Sequence, residues 1–171
     1  MLEEGQVRAI IMMGASGVGK STIGLALAKQ LDFEFLDADW LHPAHNLAKM
    51  AAGQALNDED RLPWLNAVGQ RIRYVTARGR GSVTACSALK RSYRDILRNY
   101  VPDAFFVFLD GPIEVVQARV DARTSDFMPA SLLHSQFSIL DSLQPDERGI
   151  RVDIRQDLDA IVKQIRDDLG D

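Results

Sequence analysis

Residues Gly14-Ala15-Ser16-Gly17-Val18-Gly19-Lys20-Ser21 spell G-x-x-x-x-G-K-[ST], and they stand between an apolar run and an amphipathic one. That spelling holds phosphate. Gly14, Gly17 and Gly19 let the backbone take up positive φ and approach an anion with no Cβ in the way, so that successive N–H groups converge as a nest. Lys20 can reach the β and γ phosphates. Ser21, opening a helix, offers a hydroxyl to Mg²⁺ where the positive end of the helix dipole faces the phosphates. Gly14, Ala15, Ser16, Gly17, Val18, Gly19, Lys20, Ser21 and the following Thr22 are therefore the expected contacts of a nucleoside triphosphate. A chain of this length would match the pattern by chance on the order of one per cent of the time, which makes an ordinary glycine-rich turn the poorer reading.

Carboxylates and cations follow. Asp37 and Asp39 close a short apolar run and, two apart, point the same way if the extended geometry continues. One could organise the water shell of Mg²⁺ while the other accepts a proton from a substrate hydroxyl; a polar strand end or helix cap is the plainer use of the same pair. Asp58 and Arg61, three apart at a helix start, read as a surface ion pair. Lys90, Arg91 and Arg94 form a basic cluster: Arg91 reads as a solvated helix face, whereas Lys90 and Arg94 are better placed to meet an anion.

The elements that must carry these groups alternate along the chain. Strands are expected over Arg8 to Met13, Phe33 to Asp37, Ser82 to Cys86, Ala104 to Leu109 and Ile150 to Ile154. Between them lie helical patterns. Ile23, Leu27 and Leu31 recur at helical spacing, Pro43 suits the first turn of a helix ending near Gly53, and Asn57 can cap a helix whose Trp64, Leu65, Val68, Ile72 and Val75 share one face until Gly79. Further helices run through Tyr93, Ile96 and Leu97, from Pro112 towards Arg123, and through Leu158, Ile161, Val162, Ile165 and Leu169. Strand then helix, repeated about five times, gives an α/β P-loop NTPase fold. Its five-stranded parallel sheet is sandwiched between helices, with ligands at the carboxyl ends of the strands.

Composition limits the alternatives. A chain of 171 residues reads as one domain, 1–171, and can bury roughly 70% of its unfolded surface. The single Cys86 excludes an internal disulfide framework, and His42, His45 and His134 are too scattered for a metal cluster. A formal net charge of −4 argues against a nucleic-acid partner. An acidic Met1-Leu2-Glu3-Glu4 start and the lack of any apolar run near ~20 residues point to a cytoplasmic protein with no membrane association.

Longer stretches carry a more specific signal. His42-Pro43-Ala44-His45-Asn46-Leu47-Ala48-Lys49-Met50, Asn57-Asp58-Glu59-Asp60-Arg61-Leu62-Pro63-Trp64-Leu65, Cys86-Ser87-Ala88-Leu89-Lys90, Tyr93-Arg94-Asp95 and Leu132-Leu133-His134-Ser135-Gln136-Phe137 together resemble the bacterial gluconate kinases over nearly the whole chain. The resemblance implies ATP- and Mg²⁺-dependent phosphorylation of D-gluconate at its 6-hydroxyl, in a fold similar to shikimate and adenylate kinases, and often a homodimer. It also implies a gluconate pocket lined by Asp39, His42, Asn46, Asp58, Arg61, Ser87, Lys90 and Gln136. Arg119 and Arg123 would flank the nucleotide, with a helical lid over about 123–145. Catalysis would then rest on Lys20, Asp39 and Arg123, and Mg²⁺ on Ser21 and, through water, Asp37.

The chain departs from that family at Thr124 and Asp126, where a basic residue and a histidine are usual, and at Ala55 and Asp141, where proline and glutamate are. A GTPase switch would share the phosphate loop, but no N-K-x-D guanine-reading motif occurs and no D-x-x-G follows the early strands. A nucleotide-binding protein without catalysis is disfavoured by Lys20, Asp37, Asp39 and the arginines. The remaining alternative is a related kinase acting on shikimate or another sugar acid.

Overall fold

The computed structural model describes residues 5–122 and 129–170. Strands β1 (Ala9–Met13), β2 (Glu34–Asp37), β3 (Ser82–Ala85), β4 (Phe105–Asp110) and β5 (Gly149–Asp153) alternate with helices. These are α1 (Lys20–Leu31), α2 (Ala44–Ala51), α3 (Asp58–Ala77), α4 (Arg91–Tyr100), α5 (Ile113–Asp121), α6 (Ala130–Ile139) and α7 (Leu158–Leu169), with a 3-10 turn over Ala38–Leu41 after β2. Each expected strand is present with its ends moved by a residue or so. Only α6 was without a periodic signal of its own.

All strand pairings are parallel, and the order across the sheet is β2-β3-β1-β4-β5. β1 is central and buried on both faces, which explains its unbroken apolar run. Ile11 and Met13 face α3 and α4 through Trp64, Leu65, Ile72 and Leu97, while Ile10 and Met12 face α1, α5 and α7 through Leu27, Val116 and Ile165. From β1 the chain leads to one side of the sheet and later crosses to the other. A crevice therefore opens at the carboxyl end of β1, where the phosphate loop begins.

Two devices fix the elements around that crevice. Asn57 Oδ1 accepts the Asp60 N–H at 2.8 Å and Asp60 Oδ2 accepts the Asn57 N–H at 2.9 Å, a reciprocal cap that sets where α3 starts and so where Arg61 falls. Lys49 also donates to Asp60, and the two contacts hold that carboxyl down at about 2.

The second device is a buried ion pair. Arg94 and Glu147 both have fully buried side chains, joined by bonds of 2.7 and 2.9 Å. Arg94 also donates to the carbonyls of Ala88, Leu89 and Ser142, and Glu147 accepts the Gln144 N–H and a bond from Arg98. Ala88 has φ +42, a left-handed conformation that costs a non-glycine residue roughly 1 kcal/mol, and the guanidinium on its carbonyl helps hold it there. The expectation that Arg94 meets an anionic ligand is thus corrected: its anion is Glu147. Arg91 is likewise no solvated face, since it is half-buried and bonded to Asp146 and Gln144, while its N–H is capped by Asp141.

Removing Glu147 would leave a buried guanidinium without its carboxylate. Glu147→Ala should lower unfolding free energy by about 3–5 kcal/mol, read from urea unfolding. Asp167→Ala, which breaks an exposed pair with Lys163, should leave the midpoint nearly unmoved.

Candidate active site

The phosphate loop has the backbone its glycines require: Gly14, Gly17 and Gly19 all have positive φ. At Gly17 the space is as restrictive as the dihedral, because a Cβ there would lie 2.5 Å from Val120 Cγ2 on α5. Lys20 arches back over the loop and donates to the carbonyls of Gly14 and Ala15 at 3.0 and 2.9 Å. Two distant segments clamp the loop. Gly14 N–H donates to Ser87 O at 3.1 Å, and Ser16 N–H donates to Gln136 Oε1 at 2.7 Å while Gln136 Nε2 donates back to Ser16 Oγ at 3.3 Å. Helix α6 is thereby tied to the phosphate loop.

Asp37 and Asp39 do not continue as a strand. The chain turns at Ala38, and Asp37 Oδ1 accepts the Asp39 N–H at 3.0 Å, so Asp37 caps the 3-10 turn. Its other oxygen lies 3.4 Å from the Ser21 hydroxyl. Burial pushes the Asp37 carboxyl above its usual range, and the Asp39 N–H pulls the other way. Trp64 Nε1 donates to Ala38 O at 2.7 Å and anchors the turn that presents Asp39.

His42 stacks on the Trp64 ring, centroids 4.1 Å apart and nearly parallel. Asn46 is buried, donates to Asp60 O at 2.9 Å and lies with its amide nitrogen 3.2 Å from His42 Nδ1. Since an amide NH₂ can only donate, Nδ1 is the acceptor and the ring proton is assigned to Nε2. Burial, and then the charge of Arg61, push His42 down to about 4.

Arg61 is 7% exposed, and no carboxylate among the described residues pairs with it directly. Its Nη1 donates to the Tyr93 hydroxyl at 2.9 Å, and that hydroxyl donates to Asp58 Oδ1 at 2.5 Å. Lys90 donates to the same oxygen at 3.0 Å. The expected Asp58–Arg61 ion pair is therefore replaced by a three-part chain with a phenol in the middle.

These parts enclose a cavity of about 240 Å³. Its polar wall includes Ser16, Lys20, Asp39, His42, Arg61, Ser87 and Gln136, and its apolar wall includes Met50, Leu56, Trp64, Leu89 and Leu132. Of the residues placed in the pocket by resemblance, Asn46, Asp58 and Lys90 do not line this cavity: Asn46 stands behind His42, and Asp58 and Lys90 stand behind Tyr93. Arg119 lies apart on α5 and donates to Ile154 O at 2.8 Å. Arg123, Thr124 and Asp126 lie outside the described residues. A larger hollow, about 600 Å³, sits at the opposite ends of the strands near Arg8, Tyr100 and Arg148, away from the phosphate loop.

A phosphate loop at the carboxyl end of the central strand, facing a cavity with one carboxylate and one buried cation, is the layout of a small-molecule kinase. A family model described as shikimate kinase matches residues 16–165. The chain belongs to the shikimate kinase family. Within it, the chain is 43% identical to the thermosensitive gluconokinase of Escherichia coli (strain K12) over 159 residues, covering 92% of this chain and 85% of that one. A gluconokinase structure from Sinorhizobium meliloti 1021 superimposes with a TM-score of 0.87 at 42% identity, over 95% of this chain and 91% of that one. A sugar kinase from Janibacter sp. HTCC2649 gives 0.91 at 42% identity, over 96% and 95%. No helix among the described residues is long and apolar enough to cross a membrane.

The low His42 value has a consequence for stability. An unfolded chain takes up a proton near 6.5 where folded His42 does not until about 4, so stability is full above that window and falls as pH drops through it. The thermal midpoint of the wild type should decline between pH 7 and 5.5, before most carboxylates titrate. His42→Asn should flatten that decline.

Proposed function

We propose that this protein transfers the γ-phosphoryl group of ATP to the 6-hydroxyl of D-gluconate, giving 6-phospho-D-gluconate and ADP. The observation that carries this reading is Arg61, a buried guanidinium that no carboxylate among the described residues pairs with, on the wall of a cavity whose other walls hold the phosphate loop and Asp39. Such a charge suits an acceptor that brings its own carboxylate. The family model carries the name of shikimate kinase, but the relatives at 40–46% identity bear the name gluconokinase, which favours gluconate.

In this mechanism the loop amides and Lys20 hold the β and γ phosphates and stabilise the charge that shifts between them. The acceptor carboxylate binds Arg61, with the neutral His42 ring and Ser87 facing its hydroxyls. Asp39 orients the 6-hydroxyl and takes its proton as the oxygen bonds to the γ phosphorus, while the bond from that phosphorus to the β,γ-bridging oxygen breaks. The adjacent Ser21 hydroxyl and Asp37 carboxylate fit Mg²⁺, which usually keeps several waters and phosphate oxygens rather than a full protein cage. Ser21 would ligate it directly and Asp37 through water. Bound there, it would neutralise charge on the β and γ oxygens. Arg119 and Arg123 would flank the nucleotide, and the segment 123–145 would serve as the lid of a single domain. In this reading the enzyme would work in the cytoplasm, as a homodimer by family resemblance.

With ATP, turnover is expected on gluconate and not on shikimate in a coupled assay for ADP; the reverse preference would overturn the assignment. Asp39→Asn should lower kcat by about 10²–10⁴-fold with little change in KM for ATP. Arg61→Ala should chiefly raise KM for gluconate.

A further inference from the structure

Tyr93 touches nothing that reacts, yet it stands between the two charges that most need separating. Its hydroxyl has one proton and gives it to Asp58 Oδ1. The oxygen lone pair is thereby turned towards Arg61 Nη1, which donates to it at 2.9 Å. Arg61 and Asp58 are thus linked through a single neutral oxygen rather than to each other. Lys90 donates to the same Asp58 oxygen, so that carboxylate is held by the phenol and an ammonium together, and neither Asp58 nor Lys90 lines the cavity. The Arg61 guanidinium also lies over the Tyr93 ring, 5.3 Å from its centroid, so ring and hydroxyl together fix where the charge points.

We propose that Tyr93 is a positioning residue for acceptor selectivity: its hydroxyl keeps the Arg61 charge fixed at the cavity wall and keeps Asp58 from neutralising it. The proposal rests on the reading of Arg61 as the partner of the acceptor's carboxylate. Asp58 and Arg61 lie three apart at the start of α3, where side chains of opposite charge ordinarily meet. Remove the phenolic oxygen and nothing separates them; a short rotation of either side chain then makes a direct ion pair. That pair would compete with gluconate for Arg61 but would not touch the nucleotide, and it would not affect a neutral polyol of the same chain length.

The consequence is a reversal of sign. In the wild type, Asp58 orients the phenol and so helps gluconate bind; beside Tyr93→Phe, it captures Arg61 and so opposes binding. Tyr93→Phe should raise KM for gluconate about tenfold, the size expected when a hydrogen bond to a charged group is lost, with KM for ATP within about twofold. Selectivity for gluconate over glucitol should fall by a similar factor. Asp58→Ala alone should raise KM for gluconate about threefold, whereas adding Asp58→Ala to Tyr93→Phe should recover most of the lost affinity. A merely structural tyrosine would give neither the selective rise nor the recovery. The proposal is overturned if the two KM values rise together, or if the double variant is as poor as or worse than Tyr93→Phe. Should Tyr93→Phe not fold, an unchanged KM for gluconate in the surface variant Asp58→Ala overturns it instead. If Arg61→Ala leaves KM for gluconate unchanged, the underlying reading of Arg61 fails; if Arg61→Ala raises it and Tyr93→Phe does not, only the role of Tyr93 fails.

Discussion

A positive charge buried at the wall of a cavity, which no carboxylate among the described residues touches, is the constraint on which the site depends. Isolated buried charges are costly, and proteins ordinarily pair them. Here the chain leaves Arg61 to a phenol and a ring face. Burial, and then this nearby charge, keep the imidazole of His42 neutral well below its usual range. That arrangement makes sense when the missing counterion arrives with the substrate, because the electrostatic complement is then formed only in the complex and selects for an anionic acceptor.

The rest of the framework holds that charge opposite the phosphate loop. The cap formed by Asn57 and Asp60 sets the start of α3, Trp64 on the same helix anchors both His42 and the turn bearing Asp39, and Tyr93 comes from α4. α4 in turn is fixed through Arg94 to Glu147 and to the strained Ala88, beside Ser87 whose carbonyl receives the Gly14 N–H. One line of bonds thus runs from a buried ion pair to the first residue of the phosphate loop. The contact of Gln136 with Ser16 joins α6 to the same loop from the other side. The cavity and the phosphate loop are built on shared elements, as transfer between them would require.

The fold was legible because parallel strands buried on both faces are spelled as continuous apolar runs, and because the phosphate loop marks which strand is central. The loop and the pocket residues Asp39, His42, Arg61, Ser87 and Gln136 were reachable from motif and resemblance, and they do share one cavity. What spacing could not give was pairing. Asp58 and Arg61 look like partners because they are three apart, but a tyrosine 32 residues beyond Arg61 comes between them. Arg94 looks like an anion-binding arginine because nothing local in the sequence points to Glu147, 53 residues away. Its two flanking apolar positions, Tyr93 and Leu97 on a buried face, were the one available hint that Arg94 turns inward. The strand geometry assumed for Asp39 failed for a local reason: Asp37 caps the chain into a turn, a competition that short polar side chains regularly win.

The most direct measurement is a crystal structure of the protein with gluconate and a non-hydrolysable ATP analogue. The expected result is the gluconate carboxylate within hydrogen-bond distance of Arg61, with the 6-hydroxyl beside Asp39 and in line with the γ phosphorus. A gluconate bound the other way round, its carboxylate on Lys20 and only hydroxyls facing Arg61, would contradict it.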